Sequence, residues 1–124
     1  MLHLENQLSL TFKQFSEANR KRCEESFVPV EQVTPAELGN AMAGECGEAC
    51  NVIKKMIRLE RGLAIPSKDK DKSLSWYVAE LRDEIGDILT YVDLLAARFG
   101  IDLEEALRDK FNAVSLEANS PVRL

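Results

Sequence analysis

VTPAELGNAMAGECGEACNVIKKMIRLERG, residues Val33–Gly62, decides the fold. Thr34 stands as a helix N-cap with Glu37 at the third helical position, and Pro35 takes the first, where its missing N–H costs nothing. Arg61-Gly62 supplies the stop. Between these signals, at ~100° per residue, Leu38, Ala41, Met42, Ala49, Val52, Met56 and Leu59 fall into one apolar stripe with Glu45 near its middle. An unpaired carboxylate placed there either gives up its charge or costs several kcal/mol, so the position calls for a cation, a metal or an open cavity. Glu48 lies ~60° round at the stripe's edge and can converge on the same site.

Working toward the N-terminus, Thr11 caps a first helix, with Gln14 completing a capping box and Leu10 and Phe15 set as a hydrophobic staple; the helix is expected to run to about Ser26. In the other direction, Gly62 to Ser75 holds Pro66 and the run Lys68-Asp69-Lys70-Asp71-Lys72 with no apolar period, and reads as a loop. A third helix is expected over Leu74–Arg98, stopped by Gly100. Asp102 with Glu105 opens a fourth that reaches about Glu117. No run of alternating β-branched residues argues for a sheet. The reading is an all-α bundle of four to five helices, a single domain over residues 1–124, assembling as an oligomer because Leu94 and Leu95 widen the apolar face beyond one partner.

The third helix carries Leu81, Ile85, Ile88, Leu89, Val92, Ala96 and Phe99 as its core face. Beside that face run Glu80, Asp83, Glu84, Asp87 and Tyr91. Glu80 with Glu84, and Asp83 with Asp87, stand one turn apart with only Arg82 nearby, a spacing that destabilises an isolated helix. Antiparallel packing of the second and third helices would bring Glu45, Glu48, Glu84 and Asp87 to one pocket, an all-oxygen set suited to magnesium or manganese. In the fourth helix Lys110 falls within the stripe of Leu103, Ala106, Leu107, Phe111 and Val114, where it either snorkels or reaches an anion. Asn19 sits similarly among Phe12, Phe15 and Cys23. A plainer account of the same residues is a solvated acidic bundle whose mid-stripe charges pair internally, for example Glu45 with Lys110.

The 124 residues suffice for one domain with a sizeable core, and 45% hydrophobic with 30% charged residues is ordinary globular composition. No apolar run approaches the ~20 residues of a membrane span. With 16 basic against 21 acidic residues the net charge is −5, which offers no footprint for a nucleic-acid polymer. Cys23, Cys46 and Cys50 cannot all pair, and the N-terminus lacks a signal-peptide pattern, so a reducing cytoplasm is expected. The cysteines read as small core residues rather than half a zinc site, since His3 is the only histidine. The same lack excludes a di-iron bundle built on Glu-x-x-His pairs.

Gly44-Glu45-Cys46-Gly47-Glu48 and Asp83-Glu84-Ile85-Gly86-Asp87-Ile88-Leu89 resemble the paired E-x-x-E and E-x-x-D motifs of the MazG-like all-α nucleoside triphosphate pyrophosphohydrolases, relatives of the dimeric dUTPases and dCTP pyrophosphatases. Gly100-Ile101-Asp102-Leu103-Glu104-Glu105-Ala106 and Lys110-Phe111-Asn112 extend the likeness, which covers roughly Leu38 to Asn112. The resemblance implies hydrolysis of a (d)NTP to the monophosphate and pyrophosphate, with Mg2+, or Mn2+ in its place, held by Glu45, Glu48, Glu84 and Asp87. It further implies a homodimer or homotetramer and a house-cleaning role toward non-canonical or excess nucleotides. Lys110 resembles the family's phosphate-contacting lysine, and Tyr91 is placed near the base or sugar. Glu45, as the expected most desolvated carboxylate, is the first candidate for general base, with Glu48 its rival. Gly44 stands where dimeric dUTPases tend to have another Glu, which argues against a dedicated dUTPase. Phe12, Phe15 and Asn19 are candidates for the base pocket, and Trp76 for either core or pocket. The alternative is a non-catalytic helical module that binds nucleotide or metal without turnover.

Overall fold

A computed structural model describes residues 9–124; His3 lies outside them. Among the described residues the chain forms α1 (Phe12–Ser26), α2 (Pro35–Glu60), α3 (Leu74–Arg98) and α4 (Leu103–Glu117), with single turns of 3-10 helix at Val30–Gln32 and Ser67–Asp69 and no strand. The architecture is all-α. None of the described helices is long and apolar enough to cross a membrane.

Each boundary follows from local chemistry. At the start of α1, the Gln14 N–H donates to Thr11 Oγ1 at 3.1 Å while the Thr11 N–H donates to Gln14 Oε1 at 2.9 Å, a complete capping box. Leu10 stays 72% exposed, so the reciprocal box fixes the chain's entry with little help from the expected staple. Helix α2 ends where the Leu63 N–H reaches back to the Arg58 carbonyl at 2.8 Å, which requires the left-handed φ of 64° at Gly62. Helix α3 ends in the same way, with Ile101 N–H on the Ala96 carbonyl at 2.9 Å and Gly100 at φ 65°. Asp102 then caps α4 by accepting the Glu105 N–H at 2.9 Å.

The chain divides into two compact units. In the unit Pro35–Val92, α2 and α3 are tied at two levels. Carboxylates of Glu45, Glu84 and Asp87 meet at one. At the other, Asp69 of the connecting segment joins Lys55 to Tyr77, accepting Lys55 Nζ at 2.6 Å through its carboxylate and the Tyr77 hydroxyl at 2.7 Å through its carbonyl. Later residues of α2 thus pair with earlier residues of α3, so the two helices run antiparallel. The segment expected as a plain loop is therefore pinned: Asp69 is 6% exposed and Tyr77 is wholly buried. Trp76, half-buried, packs edge-on to Tyr77 and carries Lys72 Nζ 5.0 Å from its ring centre.

The second unit comprises Asp93–Leu124 and the segment that ends at Thr34. In it α1 touches α4 and the turn Val30–Gln32, over a small core that includes Cys23 and Val30. Asp93, 2% exposed, accepts hydrogen bonds from Ser16 Oγ and from Asn19 Nδ2, the latter at 2.9 Å. Arg98 Nε donates to the Val33 carbonyl at 3.2 Å.

Three burial expectations are corrected. Leu94, expected on an outer face, is buried. Ile85, Leu89 and Phe99, expected in the core, are exposed, as are Leu107, Phe111 and Val114 of α4 and the outward Ile53, Ile57 and Val78. Cys46 and Cys50 are also exposed, and only Cys23 is a core cysteine. Periodicity identifies an apolar face but not whether the same chain covers it.

Candidate functional site

The antiparallel register of α2 and α3 sets two acidic stripes against each other. One carboxylate oxygen from each of Glu45, Glu84 and Asp87 lies within 4.8 Å of the other two, with Glu45 and Glu84 half-buried and Asp87 exposed. Glu48, exposed one turn along α2 from Glu45, lies near enough to Glu84 to repel it. Burial, reinforced by repulsion from Glu48, Glu45 and Asp87, raises the Glu84 carboxyl above the usual glutamate range.

Glu84 Oε2 is a buried acceptor with no hydrogen-bond partner among the described residues. Leaving such an atom unmade costs about 1–3 kcal/mol, and more when it is charged. No described base relieves the cluster, since Glu45 makes no ion pair among the described residues. A divalent cation fits: it would take the orphaned oxygen as a ligand and cancel the mutual repulsion, and a donor set of carboxylate oxygens suits Mg2+ or Mn2+ better than zinc.

Four of the residues named from sequence thus come together; Glu45 and Glu84 are both half-buried, and the buried oxygen without a partner belongs to Glu84. Tyr91 is half-buried, seven residues beyond Glu84 and so on nearly the same face of α3. Lys110 is exposed on α4, in the unit that also holds Asn19. Asn19 is 4% exposed with its amide nitrogen on Asp93, which makes it a support for Asp93 rather than a surface group. An open cavity of about 590 Å³ in that unit is lined by Phe12, Ser16 and Asp93 among others, whereas Phe15 and Asn19 do not line it. Sequence reasoning missed Lys55, Asp69 and Tyr77. Their one signal was an aspartate amid lysines before an aromatic, too common to mark a site.

Residues 33–114, about two thirds of the chain, match the MazG nucleotide pyrophosphohydrolase domain. The chain belongs to that family, and both acidic motifs lie inside the matched span. No curated protein and no solved structure gives a significant match.

Proposed function

We propose that this chain is a magnesium-dependent nucleoside triphosphate pyrophosphohydrolase, one MazG-like domain converting a (d)NTP and water to the (d)NMP and pyrophosphate. The observation that carries the reading is the carboxylate cluster with its buried, unpartnered Glu84 oxygen. Glu45, Glu84 and Asp87 would hold the ion, with Glu48 beside them. A bound divalent ion supplies charge neutralisation for the phosphate oxygens and acidifies water.

The chain's own groups do the rest. Glu48, exposed at the rim, is the carboxylate left to take the proton of the attacking water, with Glu45 as the second candidate. Tyr91, on nearly the same face of α3 as Glu84, contacts the sugar or base. The exposed apolar residues of α2, α3 and α4 support a homodimer or homotetramer, in which such faces are covered by further copies. A house-cleaning role toward non-canonical or excess nucleotides, in the cytoplasm, completes the reading.

The test is pyrophosphate release from a panel of common NTPs and dNTPs with Mg2+, with Glu45→Gln and Glu84→Gln run in parallel and the monophosphate identified as co-product. Turnover abolished by both substitutions is expected. Absence of turnover on every substrate despite saturable Mg2+ binding would replace the reading with a binding module.

A further inference from the structure

The carboxylate cluster is anionic and so is the polyphosphate tail of any nucleoside triphosphate. Metal ions neutralise only the phosphate oxygens they reach, so the distal phosphates need cations from the protein. In the unit Pro35–Val92, basic residues gather at one end: Lys54, Lys55 and Arg58 close α2, Arg61 follows it, and Lys68, Lys70 and Lys72 lie in the connecting segment.

This segment is a built turn. Pro66 opens it, the Asp69 N–H returns to the Pro66 carbonyl at 3.0 Å, and the Asp69 carbonyl accepts both the Lys72 N–H at 3.2 Å and the buried Tyr77 hydroxyl at 2.7 Å. The Asp69 carboxylate points inward to Lys55, and the hydrogen bond from Lys55 holds its pKa below the usual aspartate range. With Asp69 turned in, Lys68 and Lys70 on either side are exposed, and neither forms an ion pair among the described residues.

Helical register places this turn relative to the carboxylates. Lys55 follows Glu48 by seven residues and Tyr77 precedes Glu84 by seven. Each is within ~20° of its carboxylate around the helix and ~10 Å along it. The anchor therefore lies in the same seam of α2 and α3 as the cluster, two turns nearer the connection.

We propose that the turn Lys68–Lys72 is the subsite for the distal phosphates of a condensed phosphate, with Lys68 and Lys70 as the contacting cations and Asp69 as the positioning residue that presents them. That the phosphate is the tail of a nucleotide rests on the hydrolase reading above. The subsite itself rests on the pinned turn and its register.

The experiment titrates inorganic tripolyphosphate into the protein with Mg2+ and, separately, measures kcat and KM on the best nucleotide of the panel. The Lys68→Gln/Lys70→Gln double variant removes exposed side chains and is expected to fold normally. It should weaken tripolyphosphate binding about tenfold or more and raise KM to match, with kcat within about twofold, the pattern of lost ground-state binding. Asp69→Asn should raise KM in the same direction while also lowering the thermal midpoint; a purely structural Asp69 would move the midpoint alone. Lys21→Gln, which removes a charge from the other unit, should change neither constant. Tripolyphosphate affinity and KM unchanged in the double variant, or a loss shared equally by Lys21→Gln, would overturn the subsite. A wild-type protein that hydrolyses no nucleotide yet binds tripolyphosphate through Lys68 and Lys70 would overturn the hydrolase reading and leave the subsite standing.

Discussion

Two polar clusters bridge the same pair of helices and differ in almost every electrostatic respect. At Lys55–Asp69–Tyr77 the charges are opposite and the hydrogen bonds are made. At Glu45–Glu48–Glu84–Asp87 the charges are alike, and a buried oxygen is left without a partner. The carboxyl pKa falls at Asp69 and rises at Glu84, and these opposite shifts have opposite causes: a donated hydrogen bond in one case, burial among like charges in the other. The contrast separates what holds the helices together from what they are held together to do. A balanced cluster is a complete structural element, whereas a cluster of repelling groups is stable only with something added.

The comparison is broken most severely by removing a charge from the frustrated cluster. Glu84→Gln should cost at least a hundredfold in kcat, as expected for a group in the catalytic constellation. It should leave the metal-free thermal midpoint unchanged or raised, since it deletes a repulsion. A marked drop in that midpoint would show that Glu84 is a structural ion-pair residue instead. Next in size is the effect of the ion. Mg2+ at a hundred times its Kd should stabilise the wild-type protein by about 2.7 kcal/mol, seen as an upward shift in thermal melting that chelator reverses and that Glu84→Gln largely loses.

In the balanced cluster the signs reverse. Lys55→Met should lower the thermal midpoint by several degrees near neutral pH, with no help from Mg2+. Because the folded Asp69 pKa is depressed, its stabilisation is fully present above the unfolded value of about 3.9 and is lost as pH falls through the folded pKa. The gap in midpoint between wild type and Lys55→Met should therefore be flat from neutral to mildly acidic pH and close at lower pH. Melting curves across that range decide it. Smallest is Tyr77→Phe, which removes one donor from a carbonyl that keeps the Lys72 N–H. A loss near the low end of about 0.5–1.5 kcal/mol by denaturant titration is expected.

What the sequence made legible was local. Thr11 with Gln14, Pro35, Gly62, Gly100 and Asp102 act within a turn of their own positions, and each helix begins or ends where they say. The acidic motifs were legible too, because repulsion at one-turn spacing is a property of a single helix. Contacts between distant residues were not. Nothing in a period count ties Lys55 to Asp69 and Tyr77, or Asp93 to Ser16 and Asn19, since those bonds depend on how separate elements meet. The same limit hid the buried, unpartnered oxygen of Glu84, which depends on how α3 meets its neighbours and not on its place in a stripe. It also hid the exposure of Ile85 and Leu89, which depends on whether anything packs against them.

The exposed thiols of Cys46 and Cys50 have a practical consequence for judging whether further copies cover the exposed apolar faces. They stand one turn apart on α2, Cys46 between Glu45 and Glu48 and Cys50 just beyond, with solvent access. Air oxidation can therefore link one copy to another through a covalent bridge that owes nothing to burial of Ile85 or Leu89. A mass measured without reductant would record that cross-linking as assembly. Only a particle mass that survives a strong thiol reductant reports non-covalent association of copies.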